Sequence, residues 1–136
     1  MNDSIFSKII RGEIPCEKVY EDERTMAFMD IDPLLPGHVL VVSKVQVDHV
    51  DDLSEEDYHA LYATVKKVAN RVRAVLGAKR AVTLVMGYDV PHAHVHVVPC
   101  NEGHDFFAAT AERIERTDKS APDHALLAGI AARLAF

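Results

Sequence analysis

The sequence predicts an α+β domain built on a mostly antiparallel five-stranded sheet. Three observations carry this. Five short β-rich runs are bounded by Gly, Pro and polar turns, a single long helical pattern separates the third run from the fourth, and helical patterns lie before the first run and after the last. Strands and helices therefore do not alternate as βαβ units. The 136 residues are 49% hydrophobic and 26% charged, the profile of one domain spanning 1–136. At this length folding buries roughly two-thirds of the unfolded chain's surface, so no disulfide or metal staple is required.

Residues 4–11 place Ile5, Phe6, Ile9 and Ile10 at helical spacing, with Asn2, Asp3 or Ser4 as N-cap and Gly12 just past the end. Strands at 19–20 and 25–29 flank the polar turn Glu21-Asp22-Glu23-Arg24 and read as a hairpin. The loop Asp32-Pro33-Leu34-Leu35-Pro36-Gly37 leads into a β-branched strand at 38–42. Ser54 followed by Glu55, Glu56 and Asp57 caps a long helix, along which Leu61, Val65, Val68, Val72 and Val75 recur until Gly77. Two further strands are expected at 81–86 and 92–98, the second closed by Pro99. The tail from about 105 to 136 reads as helical around 108–116 and 121–134, with a polar gap at 117–120.

Composition removes several functions. A net charge of −6 argues against wrapping long nucleic acid, which needs a basic stripe to displace counterions. The cluster Lys66, Lys67, Arg71, Arg73, Lys79 and Arg80 falls on the polar side of the long helix and its exit, and reads as a solvated face. Cys16 and Cys100 stand alone, giving neither a disulfide framework nor a Cys-based zinc site. No window approaches the ~20 apolar residues of a membrane span, and residues 1–6 lack a basic-then-apolar leader. The expectation is a cytoplasmic protein with no membrane partner.

The chemistry concentrates in His92-Ala93-His94-Val95-His96-Val97-Val98. On a strand, alternate side chains share a face at about 6.6 Å, so three imidazoles are presented together while Ala93, Val95 and Val97 pack behind them. A solvated face would more cheaply carry Thr, Lys or Glu. Two chemistries compete: a His-based metal site, and a neutral imidazole nucleophile flanked by groups that orient it and bind phosphate. Spacing does not rank them.

The string His-apolar-His-apolar-His-apolar-apolar resembles the signature of the histidine triad (HIT) family of nucleotide hydrolases and transferases. Residues 5–15, Val19-Tyr20-Glu21-Asp22, Ala27-Phe28-Met29-Asp30-Ile31, residues 36–42 and Lys44 follow in that family's order. The resemblance covers a core of 4–99 and leaves the helical extension unmatched. It implies a homodimer that needs no cofactor and cleaves a substituent from the α-phosphate of a nucleotide, commonly a purine nucleotide. Nucleoside phosphoramidates and dinucleoside polyphosphates are the implied substrates. His94 is then the nucleophile, with His92 and His96 orienting the site and bonding phosphate oxygens. Asp30 matches the position that holds the ribose hydroxyls, and Ile5, Phe6, Ile9, Phe28 and Ile31 match the apolar grip on the base. His38 matches a recurrent position, where its place at a loop end argues for a bond to backbone.

Departures from the pattern matter equally. Ser4, Ser7 and Gln46 stand where many relatives carry the Cys-x-x-Cys and His that hold a structural zinc with the first triad His, so no such zinc is expected. In the turn before the triad, Tyr88 and Asp89 replace a Gln and a small hydroxyl residue that contact phosphate and leaving group. Asp89 thus points away, bonds a triad histidine, or works protonated as the leaving-group acid. Besides a metal-independent hydrolase, two alternatives remain open: a nucleotide-binding module that does not turn over, and a His-based metalloenzyme.

Overall fold

A computed structural model of the chain describes residues 2–116 and 121–136. In order it contains α1 (Ile5–Ile10), β1 (Lys18–Glu21), β2 (Thr25–Met29), β3 (Val39–Ser43), a 3-10 turn (Val50–Asp52), α2 (Glu55–Leu76), β4 (Arg80–Leu84), β5 (His94–Cys100), α3 (Phe106–Glu115) and α4 (His124–Leu134). The five strands form one sheet ordered β1-β2-β3-β5-β4, with every described pairing antiparallel. The α+β reading of the sequence holds. The polar gap expected at 117–120 lies outside the described residues.

Local chemistry sets the boundaries. Ser4 caps α1 by accepting the Ser7 N–H at 3.0 Å, and Ser54 caps α2 by accepting from Asp57 at 3.1 Å. Gly77 ends α2 with φ +66°, the left-handed conformation that closes helices. In the β1–β2 turn Asp22 Oδ1 accepts from the N–H groups of Arg24 and Thr25. Gly37 is needed twice over at the entry to β3: its φ is +93°, and a Cβ there would sit 2.6 Å from Leu76 Cδ1 and 2.8 Å from Pro99 Cγ.

Burial divides the sheet by face. One face packs Val19, Ala27, Met29, Val39, Val41, Val95 and Val97 against α2 through Leu61, Val65, Val68 and Val72. Leu127, Ala131 and Leu134 of α4 complete the same core. The chain end is pinned there, because the Phe136 N–H donates to Val19 O at 3.1 Å and Arg71 Nε donates to Leu134 O at 2.8 Å. Arg71 of the basic cluster is thereby spent on closing the fold. The other face packs Met26, Phe28, Leu40 and Val42 against Phe6 and Ile9 of α1. The alternating partners of Val95 and Val97, His94 and His96, project onto this second face.

Two boundaries differ from expectation near the histidines. β5 starts at His94, not His92, because the Ala93 N–H is taken by Val47 O at 2.6 Å and the His92 N–H by Val90 O at 2.8 Å, which turn the chain before it joins the ladder. β5 also continues through Pro99 to Cys100 along β4, although its pairing with β3 ends at Val39 and Val97. Pro99 is accommodated past the end of the β3 ladder.

Candidate active site

β5 lies between β3 and β4, so the histidines it carries sit on an interior strand and are buried. His94 is opposite Val42, and His96 is opposite Leu40 on one side and Leu84 on the other. The rings of His94 and His96 have centroids 5.1 Å apart. Phe6 packs edge-on against both His92 and His94, at 5.7 and 5.0 Å. The short helix α1 thus closes the N-terminal end of the row.

The hydrogen bonds assign a proton to each ring. His92 faces the backbone oxygen of Ser43 through Nε2, so Nε2 carries the proton and Nδ1 accepts from the Ser4 hydroxyl at 2.6 Å. Both nitrogens of His92 are engaged. Its backbone carbonyl in turn accepts from His94 Nδ1 at 2.6 Å. His94 therefore keeps its proton on Nδ1 and presents Nε2 as a lone pair.

A second chain of bonds fixes the other end. The Leu34 N–H donates to His38 Nδ1 at 3.0 Å, leaving the His38 proton on Nε2, which donates to His96 Nδ1 at 2.9 Å. His96 consequently carries its proton on Nε2. That atom is buried and has no hydrogen-bond partner among the described residues. The site therefore sets a free lone pair on His94 next to a free N–H donor on His96. Burial holds all four imidazoles below their ordinary pKa, so they are neutral in neutral solution.

Asp30, at the end of β2, completes this wall. Its Oδ1 accepts the Asp32 N–H at 2.7 Å, and its Oδ2 lies 3.5 Å from His38 Nε2 and 3.3 Å from Arg113 Nη1. Burial pushes its carboxyl up, while the Arg113 guanidinium pulls it back without cancelling the rise. Of the five apolar residues singled out in the sequence, Phe6, Ile9 and Phe28 pack together, Phe6 meeting Phe28 edge-to-face at 5.5 Å. Ile5 and Ile31 are exposed and stand outside that cluster. Asp89 and Tyr88 are also exposed, and the Asp89 charge favours protonation of His94 against its burial.

Neither group of residues that resembles a metal site fits a cation. Ligand atoms of Asp30, His38 and His96 lie within 4.8 Å of one another. However, Leu34 occupies the His38 lone pair, so the atom facing the group is an N–H, which repels a cation. At the positions where the resemblance implies zinc ligands in other members, Ser7 Oγ donates to Gln46 Oε1 at 2.6 Å and Ser4 Oγ to His92. Two hydroxyls, an amide oxygen and an imidazole with its lone pair already engaged are a poor zinc set. Here a hydrogen-bonded clasp joins α1, the β3 exit and the triad.

Two contacts around the triad escaped the sequence reading. His38 bonds backbone as expected, and it also fixes the His96 tautomer. Arg113 faces the triad from the tail, for which no motif gave a signal.

The HIT domain family model matches residues 11–103. A HIT-like protein of Methanocaldococcus jannaschii is 38% identical over 103 residues, covering 73% of this chain and 80% of its own. Arabidopsis thaliana adenylylsulfatase HINT3 is 31% identical over 117 residues, 82% of this chain and 59% of the plant protein. The crystal structure of a Hit-like protein involved in cell-cycle regulation from Bartonella henselae superposes with a TM-score of 0.83 at 30% identity, covering 98% of this chain and 95% of that one. The match to the family model, the alternating histidines of β5 and the shared architecture place this chain in the histidine triad (HIT) family.

Proposed function

We propose that this protein hydrolyses a nucleotide conjugate at its α-phosphorus through a nucleotidyl-His94 intermediate, without a metal. The observation that carries the reading is the His94 Nδ1 bond to His92 O, which leaves Nε2 as the attacking lone pair. In the first step His94 Nε2 forms a bond to the α-phosphorus and the substituent leaves with the bonding pair. In the second, water attacks the phosphorus, the P–N bond breaks, and the nucleotide is released with the imidazole restored. His96 Nε2–H donates to a phosphate oxygen, stabilising the charge that builds there. His92, with both nitrogens engaged, acts as a positioning residue through its carbonyl and not as a phosphate donor.

Asp30 accepts the ribose hydroxyls, and Phe6, Ile9 and Phe28 form the floor under a purine base with Ile5 and Ile31 at its rim. Asp89 sits on the leaving-group side by its place in the family pattern. The family relationship supports small nucleotide substrates, and the adenylylsulfatase among the relatives supports hydrolysis at an adenylyl group. We extend the same reading to a cytoplasmic homodimer. The exposed turn at Tyr88 and Asp89 favours one rival, a nucleotide-binding module without turnover.

Chromatography of a panel of nucleoside phosphoramidates, dinucleoside polyphosphates and adenylyl sulfate, incubated with the protein in EDTA, separates these readings. Release of AMP or GMP by the wild type and none by His94→Ala is expected. Tight AMP binding without release from any conjugate would establish the binding module, and activity lost on chelation would establish a metalloenzyme.

A further inference from the structure

Arg113 enters the site from an element that the sheet does not need. None of the residues of α3 is buried. At its N-terminal end Phe106 packs against the cluster of Leu34, Val98 and Cys100. Its C-terminal end is tied down by Arg113, at 3.3 Å from Asp30 Oδ2, and by Arg116, whose Nη2 lies 2.7 and 2.9 Å from the two oxygens of Asp32. Meanwhile Phe107 and Ile114 of the same helix are exposed. The helix is therefore hinged on one aromatic ring and latched by ion pairs onto the carboxylates at the end of β2.

The latch occupies a group the reaction needs. Asp30 is 4% exposed, with Asp32 N–H on one oxygen and Arg113 on the other. A vicinal diol that takes both oxygens of that carboxylate competes with Arg113 for Oδ2. Removing Arg113 alone would leave a buried carboxylate short of a donor, a costly state, whereas two hydroxyl donors arriving together replace what is lost. Arg113 is itself partly exposed, so water takes up its guanidinium on release. A nucleotide with both ribose hydroxyls can drive this exchange; one without them cannot.

Resting on the nucleotide reading above, we propose that Arg113 is a specificity-determining residue that holds the place of the ribose hydroxyls on Asp30 and is exchanged for them when a ribonucleotide binds. The exchange makes the latch a tax on affinity, levied only on ligands that use Asp30. If the latch is closed about nine-tenths of the time, its removal tightens such ligands about tenfold.

Calorimetry of AMP and of 2′,3′-dideoxy-AMP against full-length wild type, Arg113→Gln and Arg113→Lys tests this. Arg113→Gln should bind AMP about tenfold more tightly and dideoxy-AMP no differently, with Arg113→Lys falling between it and the wild type. Amide hydrogen exchange of α3 should quicken in wild type with AMP and stay unchanged with dideoxy-AMP. Weaker AMP binding by Arg113→Gln would place Arg113 on the phosphate and overturn the exchange, as would equal tightening of both ligands or no change in either. AMP binding by none of the three proteins would overturn the nucleotide reading itself, an outcome distinct from binding that merely ignores position 113.

Discussion

The two walls of the site are built by different physics. On the sheet side, four neutral imidazoles are held by buried hydrogen bonds that run from Ser4 and Ser43 through His92 to His94, and from Leu34 through His38 to His96, leaving the His96 Nε2–H without a partner among the described residues. On the α3 side, no residue of the helix itself is buried, and beyond the Phe106 contact the grip comes from guanidinium–carboxylate pairs. Buried bonds are expensive to leave unmade, so the first wall keeps a single arrangement of protons. The guanidiniums of these pairs are reached by solvent, so water or an incoming donor can replace them and the second wall can open. Rigidity belongs to the buried histidines, and adjustability to the helix that docks on the carboxylates.

Breaking the first wall should produce the largest effect. His38→Leu removes the acceptor of Leu34 N–H and the donor of His96 Nδ1, leaving two buried polar groups unpaired. Denaturant unfolding should show a loss of about 2–6 kcal/mol, at about 1–3 kcal/mol for each orphan. Arg116→Gln, measured alongside, should leave the midpoint almost unmoved. Comparable losses in the two variants would erase the contrast between the walls.

Acid should act on the first wall selectively and more gradually. His38, His92, His94 and His96 have folded pKa values below their ordinary value of about 6.5, so the unfolded chain binds more protons than the folded one as pH falls through that value. Their contribution is complete above about pH 6.5 and is lost progressively as the pH falls below it. Each histidine adds at most about 1.4 kcal/mol per pH unit to the slope. Thermal midpoints measured from pH 7.5 to 4.5 should decline in the wild type and less steeply in His38→Leu. A midpoint that holds flat over this range would mean that the histidines are charged in the fold.

Most of the first wall was legible in the sequence, because a period of two and a period near 3.6 each name a face. Val95 and Val97 against His94 and His96, and Leu61, Val65, Val68 and Val72 along α2, could be assigned by counting alone. A cap among Asn2, Asp3 and Ser4, Gly77 as a terminator and the acid-rich turn at Asp22 follow from local backbone chemistry, and the structure selects Ser4. What alternation could not supply was the displacement of His92 from the strand, since that depends on Val47, a residue 45 positions away, reaching the Ala93 N–H. Nor could it show that His38 and Asp30 meet His96, because strand pairing between distant segments brings them together. Arg113 was invisible for a further reason: α3 has no apolar face committed to the core, so its periodicity carries no information about where it docks.

The most direct test of the account is intact-mass analysis of the protein during turnover of a purine nucleoside phosphoramidate in EDTA, quenched in alkali to preserve a phosphorus–nitrogen bond. A mass increase of one nucleotidyl group on the wild type, mapped to His94 and absent from His94→Ala, is the predicted result. Turnover by His94→Ala, or an adduct on any other residue, would contradict the assignment of His94 as the nucleophile.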